Sequence, residues 1–214
     1  MRPGTHWRPA QGEPTVTVLL RHGQTPMSVQ KRYAGRSDVP LTDTGVRQAA
    51  AAAKRLASAS LGVIVSSPLL RAVQTAQEVA AVNGAAVVTD DGFREADFGA
   101  WEGMTFAEVR ERWPAELATW LADPAVEPAG GESFTDVSAR VTAALHRVLA
   151  ARAGQTVLIV SHVTPIKTLV AAALLAPPAA LYRMHLDVAA LSAIDWYPDG
   201  PAVLRSYNDT GHLS

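Results

Sequence analysis

Three short runs of β-branched and aliphatic residues recur along the chain, at residues 16–20, 61–65 and 156–160. A continuous run of this kind is typical of a strand that is covered on both faces, because no position in it is left for solvent. The pattern therefore predicts three buried strands.

Between these runs, hydrophobic residues recur at helical spacing. One set follows the Gly130-Gly131 break and consists of Phe134, Val137, Val141, Leu145, Val148 and Leu149. Another follows Thr42 and Asp43 and consists of Val46, Ala49, Ala53 and Leu56. Each set marks one apolar face, so both segments are predicted to be amphipathic helices.

Buried strands that alternate with amphipathic helices predict an α/β fold. We expect right-handed βαβ crossovers, a mostly parallel central sheet and helices on both of its faces, which gives three α/β/α layers. A further helix is expected at residues 165–175, before Pro177-Pro178, and a closing β-hairpin at residues 189–197 and 202–207.

The composition is that of one globular domain. The chain has 214 residues, of which 48% are hydrophobic and 18% charged. A chain of this length buries roughly 70% of the surface that its unfolded form exposes, so its core needs neither disulfides nor a metal. Residues 1–14 hold three prolines and two glycines without an apolar period. We expect a linker or cloning remnant at residues 1–14 and one domain at residues 15–214.

Charge and cysteine content exclude several classes of function. The net charge of −1 offers no basic field for nucleic acid, and the lack of cysteine excludes thiol catalysis and zinc-thiolate sites. The apolar stretches are shorter than the roughly 20 residues that span a bilayer, and the N-terminus lacks a signal-peptide core. We expect a cytoplasmic protein that binds neither nucleic acid nor membrane.

Basic side chains follow the predicted strands where the strands end. Arg21 and His22 follow the first strand, Arg71 comes shortly after the second, and His162 follows the third. Ligands of open parallel sheets bind beyond the carboxyl ends of the strands, so we expect these side chains to meet. Guanidinium groups bind phosphoryl oxygens, and a neutral imidazole is a nitrogen nucleophile. These residues therefore indicate phosphoryl transfer.

The leaving oxygen of a phosphate ester needs a proton, so a carboxylic acid is expected near these cations. Glu95 and Asp97 are both candidates, and the residues alone leave the choice between them open. No metal is expected, because the six histidines include no closely spaced pair and cysteine is absent. The sequence predicts no other cofactor.

Four ordered motifs carry a resemblance to a known family. They are Arg21-His22-Gly23-Gln24-Thr25, Ser66-Ser67-Pro68-Leu69-Leu70-Arg71, Arg94-Glu95-Ala96-Asp97-Phe98-Gly99 and Ser161-His162. Over residues 15–213 the chain resembles the histidine phosphatase superfamily, in its phosphoglycerate mutase-like branch. The resemblance implies the phosphoglycerate mutase-like fold.

Carried over to the matching positions, the resemblance implies a role for each site residue. His22 would become the phosphohistidine, and Glu95 would act first as general acid and then as general base. The phosphoryl oxygens would be bound by Arg21, Arg71 and His162. The substrate side of the pocket would be lined by Gln24, Thr25 and Ser28.

One motif departs from the pattern of many relatives, which have glycines after the second histidine. Here Val163, Thr164 and Pro165 follow His162. We expect Thr164 to cap the next helix, with Pro165 in its first position. The backbone N–H groups of this first turn, including that of Val163, would then face the phosphate.

Within the family, the sequence is most similar to alpha-ribazole-phosphatase-like proteins and to the acid phosphatase domain that actinobacteria carry behind a ribonuclease H domain. Residues 161–167 and 206–213 support this similarity. It implies that a ribonuclease H domain precedes this one in the natural protein, with residues 1–14 as part of the linker. Relatives also suggest a homodimer.

Three functions are compatible with these residues. The leading hypothesis is an acid phosphatase that hydrolyses a small phosphorylated metabolite, with a mildly acidic optimum because His22 must be neutral and Glu95 protonated. A phosphomutase would use the same residues but needs a longer closing segment with extra cations, and residues 103–130 hold two arginines and no lysine. The third is a phosphate-binding module without activity.

The substrate-selecting wall is expected from the loop at residues 103–130 and from nearby aromatic residues. These would form a partial lid over the leaving group, and they are Phe98, Trp101, Phe106, Trp113 and Trp120. Asp187 and Asp209 are expected to be structural.

Overall fold

The computed structural model describes residues 10–214. Its strands are β1 Thr15–Arg21, β2 Leu61–Ser66, β3 Val87–Thr89, β4 Thr156–Ser161, β5 Leu191–Trp196 and β6 Ala202–Asp209. They form one sheet in the order β3-β2-β4-β1-β5-β6, in which β1 to β4 are parallel and β5 and β6 are antiparallel to their neighbours. The three predicted buried strands, the closing hairpin and the α/β class are confirmed. The short strand β3 is an addition.

The helices lie between the strands. They are α1 Pro26–Val29, α2 Asp43–Arg55, α3 Leu70–Asn83, α4 Phe106–Arg112, α5 Pro114–Ala122, α6 Phe134–Ala151 and α7 Val163–Ala173. The two helices predicted from apolar spacing are α2 and α6. Each begins after a hydroxyl cap: the side chain of Thr42 accepts from the N–H of Gly45, and that of Ser133 accepts from Asp136. The expected loop at 103–130 is wrong in part, since Thr105 caps α4 and Pro114 starts α5.

Consecutive residues of the central strands pack into different halves of the core. Leu19 and Ile159 belong to the half that includes residues of α6 and α7, whereas Leu20 and Leu158 belong to the half that includes residues of α2 and α3. All four side chains are fully buried. Burying each of them contributes about 1.5–3 kcal/mol, so the sheet is held between two helical layers as predicted.

The carboxyl ends of β1, β2 and β4 lie at one edge of the sheet. β4 is between the other two, with Arg21 of β1 beside Ser161 and Ser66 of β2 beside Val160. The backbone continues this pairing, since the N–H of His22 donates to the carbonyl of Ser161 at 3.0 Å. The segments that follow the three strands are therefore brought together, whatever their distance in sequence.

Helix α7 begins earlier than expected. His162 is its N-cap, with extended backbone angles, and the carbonyl of His162 accepts from the N–H of Ile166 at 3.2 Å. The predicted cap at Thr164 and helix start at Pro165 are therefore wrong, because the first helical hydrogen bond already starts at His162. Within residues 10–214, no helix has both the length and the apolar character needed to cross a lipid bilayer.

Candidate active site

The imidazole of His22 lies directly after β1 and is buried. Its Nδ1 is 2.8 Å from the carbonyl oxygen of Gly23. A carbonyl oxygen only accepts, so Nδ1 carries the proton and Nε2 keeps its lone pair. The backbone thus fixes the tautomer in which the lone pair of Nε2 is free to act as a nucleophile.

Gly23 allows the turn after His22 to pack against the start of α2. A Cβ atom at position 23 would lie 2.4 Å from the carbonyl oxygen of Gly45. A Cβ atom at position 45 would in turn lie 2.1 Å from the carbonyl oxygen of Gln24. Only glycine fits at both positions, and this close approach holds the backbone that orients the imidazole.

Burial lowers the pKa of His22 well below its usual value, and the nearby positive charges of Arg71 and Arg21 lower that pKa further. A histidine is neutral above its pKa, so His22 is uncharged at neutral pH. The lone pair of Nε2 therefore stays available at neutral pH.

His162 lies beside His22 at the end of β4. The two ring centroids are 5.0 Å apart, and the rings are tilted by 57°. Nε2 of His162 is 2.7 Å from the hydroxyl of Ser67, while Nδ1 is buried without a protein partner in residues 10–214. Burial, followed by the charge of Arg71, lowers the pKa of His162 well below its usual value. If the hydroxyl of Ser67 donates to Nε2, the proton of His162 is on Nδ1.

Arg71 is buried near the start of α3 and is fixed by backbone carbonyls. Nη1 donates to Ser37 at 2.7 Å, and Nη2 donates to Ala34 at 2.8 Å and to Gly35 at 3.1 Å. Its Nε has no partner among the described residues. Carbonyl dipoles offset part of the cost of burying this charge and leave Nε available for a ligand.

Arg21 is fixed in a similar way at the end of β1. Nη1 donates to the carbonyl of Leu186 at 2.6 Å, and Nε is buried without a partner in the described part of the chain. Burial lowers the pKa of Arg21 to about 10, although the negative charges of Glu95 and Asp187 raise it in part. The guanidinium therefore remains charged at neutral pH.

Glu95 faces the same site, and its carboxylate is held by backbone N–H groups. Oε1 accepts from Ala96 at 2.8 Å and from Thr164 at 3.2 Å, and Oε2 accepts from Val163 at 3.0 Å. The side chain also lines the cavity that contains His22. The first N–H groups of α7, which were expected to face the phosphate, are thus directed at Glu95.

Asp97, the other candidate acid, is engaged elsewhere. Its Oδ2 is 2.6 Å from Nε of Arg36, and its Oδ1 accepts from the N–H of Gly99 at 2.9 Å. Asp97 is not part of the cavity wall. Of the two carboxylates that the sequence leaves open, Glu95 is the one in the site.

A cavity of about 470 Å³ opens over His22, Arg21 and Glu95. Arg71 and His162 are not part of its wall but are buried behind it, with His162 next to His22. Its volume lies within the range of about 300–1,000 Å³ that is usual for small-molecule sites. Three residues that the sequence predicts for its wall do line it, namely Thr25, Ser28 and Val163. Gln24 does not, because its Oε1 accepts from the hydroxyl of Thr42 at 2.9 Å and this turns the side chain towards α2.

The aromatic wall agrees in part with the expected lid. Phe98, Phe106 and Trp120 line the cavity. Trp101 is buried in the core instead, and Trp113 packs under the guanidinium of Arg112, 4.7 Å from its ring. Sequence reasoning also missed several wall residues, which come from other segments: Lys31, Tyr33, Phe134, Thr164, Lys167, Leu181 and Tyr182.

Among residues 10–214, no group of three or more His, Asp or Glu side chains is arranged to hold a metal ion. His146, His185 and His212 lie apart from the cavity wall. Nε2 of His185 is 2.9 Å from Asp187, and Nε2 of His212 is 3.0 Å from the carbonyl of Ala189.

The family described as histidine phosphatase superfamily (branch 1) matches residues 17–210. The "Bifunctional protein Rv2228c" of Mycobacterium tuberculosis is 50% identical over 208 residues, which are 97% of this chain and 57% of that protein. "Phosphoserine phosphatase 1" of Hydrogenobacter thermophilus is 34% identical and covers 92% of this chain and 93% of its own length. A "Probable phosphoglycerate mutase" of Proteus mirabilis is 35% identical, covering 92% and 94%.

Solved structures share the fold. A mycobacterial glucosyl-3-phosphoglycerate phosphatase superposes with a TM-score of 0.84 at 31% identity, covering 92% of this chain and all of its own. A putative alpha-ribazole-5'-P phosphatase of Escherichia coli gives a TM-score of 0.84 at 28% identity, covering 92% and 97%. The chain spans just over half the length of the mycobacterial bifunctional relative.

Proposed function

The chain belongs to the histidine phosphatase superfamily (branch 1), and from this premise we propose that it is a phosphomonoesterase that works through a phosphohistidine on His22. One observation carries the proposal. Nε2 of His22 holds a lone pair, and three buried nitrogen atoms near it have no protein partner in residues 10–214, namely Nε of Arg21, Nε of Arg71 and Nδ1 of His162. Buried donors of this kind are costly unless a ligand accepts from them.

In the first step, the lone pair of Nε2 on His22 attacks the phosphorus of the ester. The P–N bond forms while the bond from phosphorus to the ester oxygen breaks. Glu95, in its protonated form, gives its proton to the departing oxygen, so that an alcohol leaves. The products are phosphohistidine and the carboxylate of Glu95.

In the second step, water attacks the phosphorus and the P–N bond breaks. Glu95 accepts a proton from this water, which restores its protonated form, and His22 recovers its lone pair. Inorganic phosphate then leaves. One carboxylate therefore serves both steps, and its fixed position between Ala96 and the start of α7 suits that double use.

The three unpaired donors supply charge stabilisation. Arg21, Arg71 and His162 would donate to the equatorial oxygens of the transferring group, where negative charge is concentrated. Removing one such donor from a phosphoryl or acyl transfer site costs about 10²–10³-fold in rate. Thr25, Ser28 and Val163 would contact the substrate from the cavity wall.

The test is phosphate release by the purified protein from p-nitrophenyl phosphate and from a panel of phosphorylated metabolites, including phosphoserine, 3-phosphoglycerate and alpha-ribazole phosphate. We expect turnover that His22→Ala lowers by at least about 10³-fold while the melting temperature stays close to that of the wild type. We also expect turnover to survive EDTA. Folded wild-type protein that releases no phosphate from any ester would overturn the proposal in favour of a binding module.

A phosphomutase is the second candidate, because one of the compared relatives is named as such. Helices α4 and α5 supply Phe106, Trp120 and Leu121 to the cavity but no cation, and this favours hydrolysis. The other cations of the wall, Lys31, Arg32 and Lys167, come from other segments. The discriminating measurement is the product formed from 3-phosphoglycerate. Hydrolysis gives glycerate and phosphate, whereas a mutase gives 2-phosphoglycerate and needs priming by a bisphosphorylated form.

Three broader expectations extend the proposal to the whole protein. Residues 15–214 would form one phosphatase domain. The bifunctional name of a longer relative supports a further domain in the whole protein. The resemblance in the sequence suggests that this is a ribonuclease H domain that precedes the phosphatase domain. Immunodetection in the native cells should then find a protein larger than 22.6 kDa, in the cytoplasmic fraction. Light scattering on the purified chain tests the expected homodimer.

A further inference from the structure

One half-buried lysine of the cavity wall, Lys167, has no acidic partner among the described residues. Besides Arg21, the basic residues of the wall are Lys31, Arg32 and Lys167. Arg32 is paired with Glu108 at 2.8 Å, and Lys31 is exposed. Lys167 is half-buried, and in the described part of the chain it has no carboxylate within salt-bridge distance.

The ammonium of Lys167 is held at the substrate side of the cavity. Nζ donates to the carbonyl of Leu181 at 3.3 Å, a long contact for a charged donor. Leu181 belongs to a short 3-10 helix, Pro178–Arg183, and lines the cavity together with Tyr182 of the same helix. Lys167 lies one helical turn beyond Val163, about 6 Å along the helix axis from the N–H that holds Glu95.

The cavity that Lys167 lines also has aromatic residues in its wall. Trp120 packs edge-on against Tyr182, with ring centroids 6.0 Å apart, and against Phe134 at 4.9 Å. All three residues line the cavity. A half-buried charge in such surroundings loses hydration, and burial lowers the pKa of Lys167 while the charge of Glu95 opposes this. One carbonyl contact compensates this loss only partly, so the site favours an anionic ligand.

We propose that Lys167 binds a carboxylate carried by the leaving group, and that the preferred substrates are phosphate monoesters in which an apolar, planar body joins this carboxylate to the ester oxygen. This inference rests on the proposed function and adds the chemical class of the substrate. A carboxylate matches the ammonium of Lys167 in charge. The planar body would pack against Trp120, Phe134 and Tyr182.

The test compares esters that differ only in the carboxylate, namely phenyl phosphate and its 3-carboxyphenyl and 4-carboxyphenyl forms. The selectivity ratio is kcat/KM for the better carboxylated ester divided by kcat/KM for phenyl phosphate. We expect this ratio to be about tenfold or more in the wild type, because a charge-assisted hydrogen bond is worth at least that much. Lys167→Met should bring the ratio close to one, and Lys167→Arg should retain part of it.

Lys54→Met is the matched control, since Lys54 is exposed on α2 and does not line the cavity. It should keep the wild-type ratio. A wild type without selectivity for the carboxylated esters, or a Lys167→Met variant that slows all esters equally, would overturn the inference. The second result would mean that Lys167 acts on the phosphoryl group instead.

Binding of non-hydrolysable esters separates this inference from the proposed function. The dissociation constants of benzylphosphonate and 3-carboxybenzylphosphonate, measured by calorimetry, report on Lys167 whether or not the protein turns over any ester. We expect the carboxylated compound to bind about tenfold more tightly, and this preference to disappear in Lys167→Met. Equal binding of the two compounds to the wild type would refute the role of Lys167 even in an active phosphatase.

Discussion

The carboxylate of Glu95 accepts a hydrogen bond from the backbone N–H of Val163, with 3.0 Å between Oε2 and N. Val163 is the first residue of α7, directly after His162. The proposed acid and base is therefore fixed to the same turn of chain that positions the second histidine. Movement of this turn would disturb phosphate binding and proton transfer together.

Replacing Glu95 by Gln should slow the enzyme in proportion to how much the leaving group needs a proton. For an alkyl ester such as glycerol phosphate, kcat/KM should fall by about 10²–10⁴-fold, because the alkoxide leaves poorly without a general acid. For p-nitrophenyl phosphate, whose phenolate is a good leaving group, the loss should be much smaller. Steady-state kinetics on both esters measure the difference.

Asp97→Asn is the control for this variant, because it removes a carboxylate two residues away that binds Arg36 instead of facing the cavity. It should cost up to about 1 kcal/mol of stability and leave the preference between the two esters as in the wild type. A Glu95→Gln variant that slows both esters by the same factor would argue against Glu95 as the acid.

The free protein should keep His22 neutral well into the acidic range. Burial and the charges of Arg71 and Arg21 lower the pKa of His22 in the folded state, so protonation requires a lower pH than in the unfolded chain. NMR titration of the imidazole carbons should show no protonation of His22 between pH 8 and pH 6.5. A midpoint at or above pH 6.5 in the folded protein is the contrary result.

The same shift links pH to stability. A histidine whose pKa is lowered by folding is protonated first in the unfolded state, so the stability it contributes is lost as pH falls below about 6.5. As pH falls from that value to the pKa of the folded state, each such histidine should lower the free energy of unfolding by about 1.4 kcal/mol for each pH unit. Urea unfolding at several pH values should therefore show that the free energy of unfolding depends more steeply on pH in the wild type than in His22→Gln.

Arg140 should act as a positioning residue for Glu95. It donates to the carbonyls of Arg94 and Glu95, at 2.7 and 2.9 Å, and its Nε donates to Glu132 at 2.8 Å. Arg140→Met should lower kcat about tenfold or more and shift the preference towards p-nitrophenyl phosphate, as Glu95→Gln does. A merely structural role would lower stability without changing this preference, and comparison of the two esters distinguishes the cases.

The reciprocal hydrogen bonds between Asn208 and Asp187 should support Arg21. The N–H of Asp187 donates to Oδ1 of Asn208 at 2.7 Å, and Nδ2 of Asn208 donates to Oδ2 of Asp187 at 2.9 Å. They fix the segment whose Leu186 carbonyl holds Arg21. Asn208→Gly should therefore weaken inhibition by inorganic phosphate several-fold and cost about 1–2 kcal/mol of stability.

Asn208→Ala separates the effect of losing the side chain from the effect of the backbone conformation at this position. Asn208 has a φ of +55°, a left-handed conformation that alanine adopts at a cost of about 1 kcal/mol. The Asn208→Ala variant should thus be less stable than the Asn208→Gly variant. Inhibition by phosphate should weaken to the same degree in both variants. Chemical denaturation and phosphate inhibition measure the two effects, and unchanged inhibition in both variants would mean that Asn208 does not support Arg21.

The rule that parallel strands end at one edge is enough to predict much of the site from sequence. It places His22 and His162 side by side, since each directly follows a strand whose buried run is visible in the sequence. The same rule cannot choose between Glu95 and Asp97. Both lie in one irregular segment, and the choice depends on which of them reaches the start of α7.

The substrate side is harder to predict because it is assembled from segments with no common pattern. Lys167 is one turn beyond Val163 on α7, a spacing that could have indicated a shared face, whereas Tyr182 comes from a 3-10 helix without a clear sequence signal. Gln24 lies within a family motif, but its side chain is held by Thr42 and not by the cavity. Side-chain partners, rather than the motif, decided its orientation.

Trapping the covalent intermediate tests the central claim most directly. Glu95→Gln should be mixed with radiolabelled p-nitrophenyl phosphate and quenched in base, because the P–N bond of phosphohistidine is labile in acid. This variant should form the intermediate readily with so good a leaving group and hydrolyse it slowly. We predict label on Nε2 of His22, located by peptide mass spectrometry, and none in Glu95→Gln that also carries His22→Ala. Unlabelled enzyme during turnover, or label on another residue, would contradict the account.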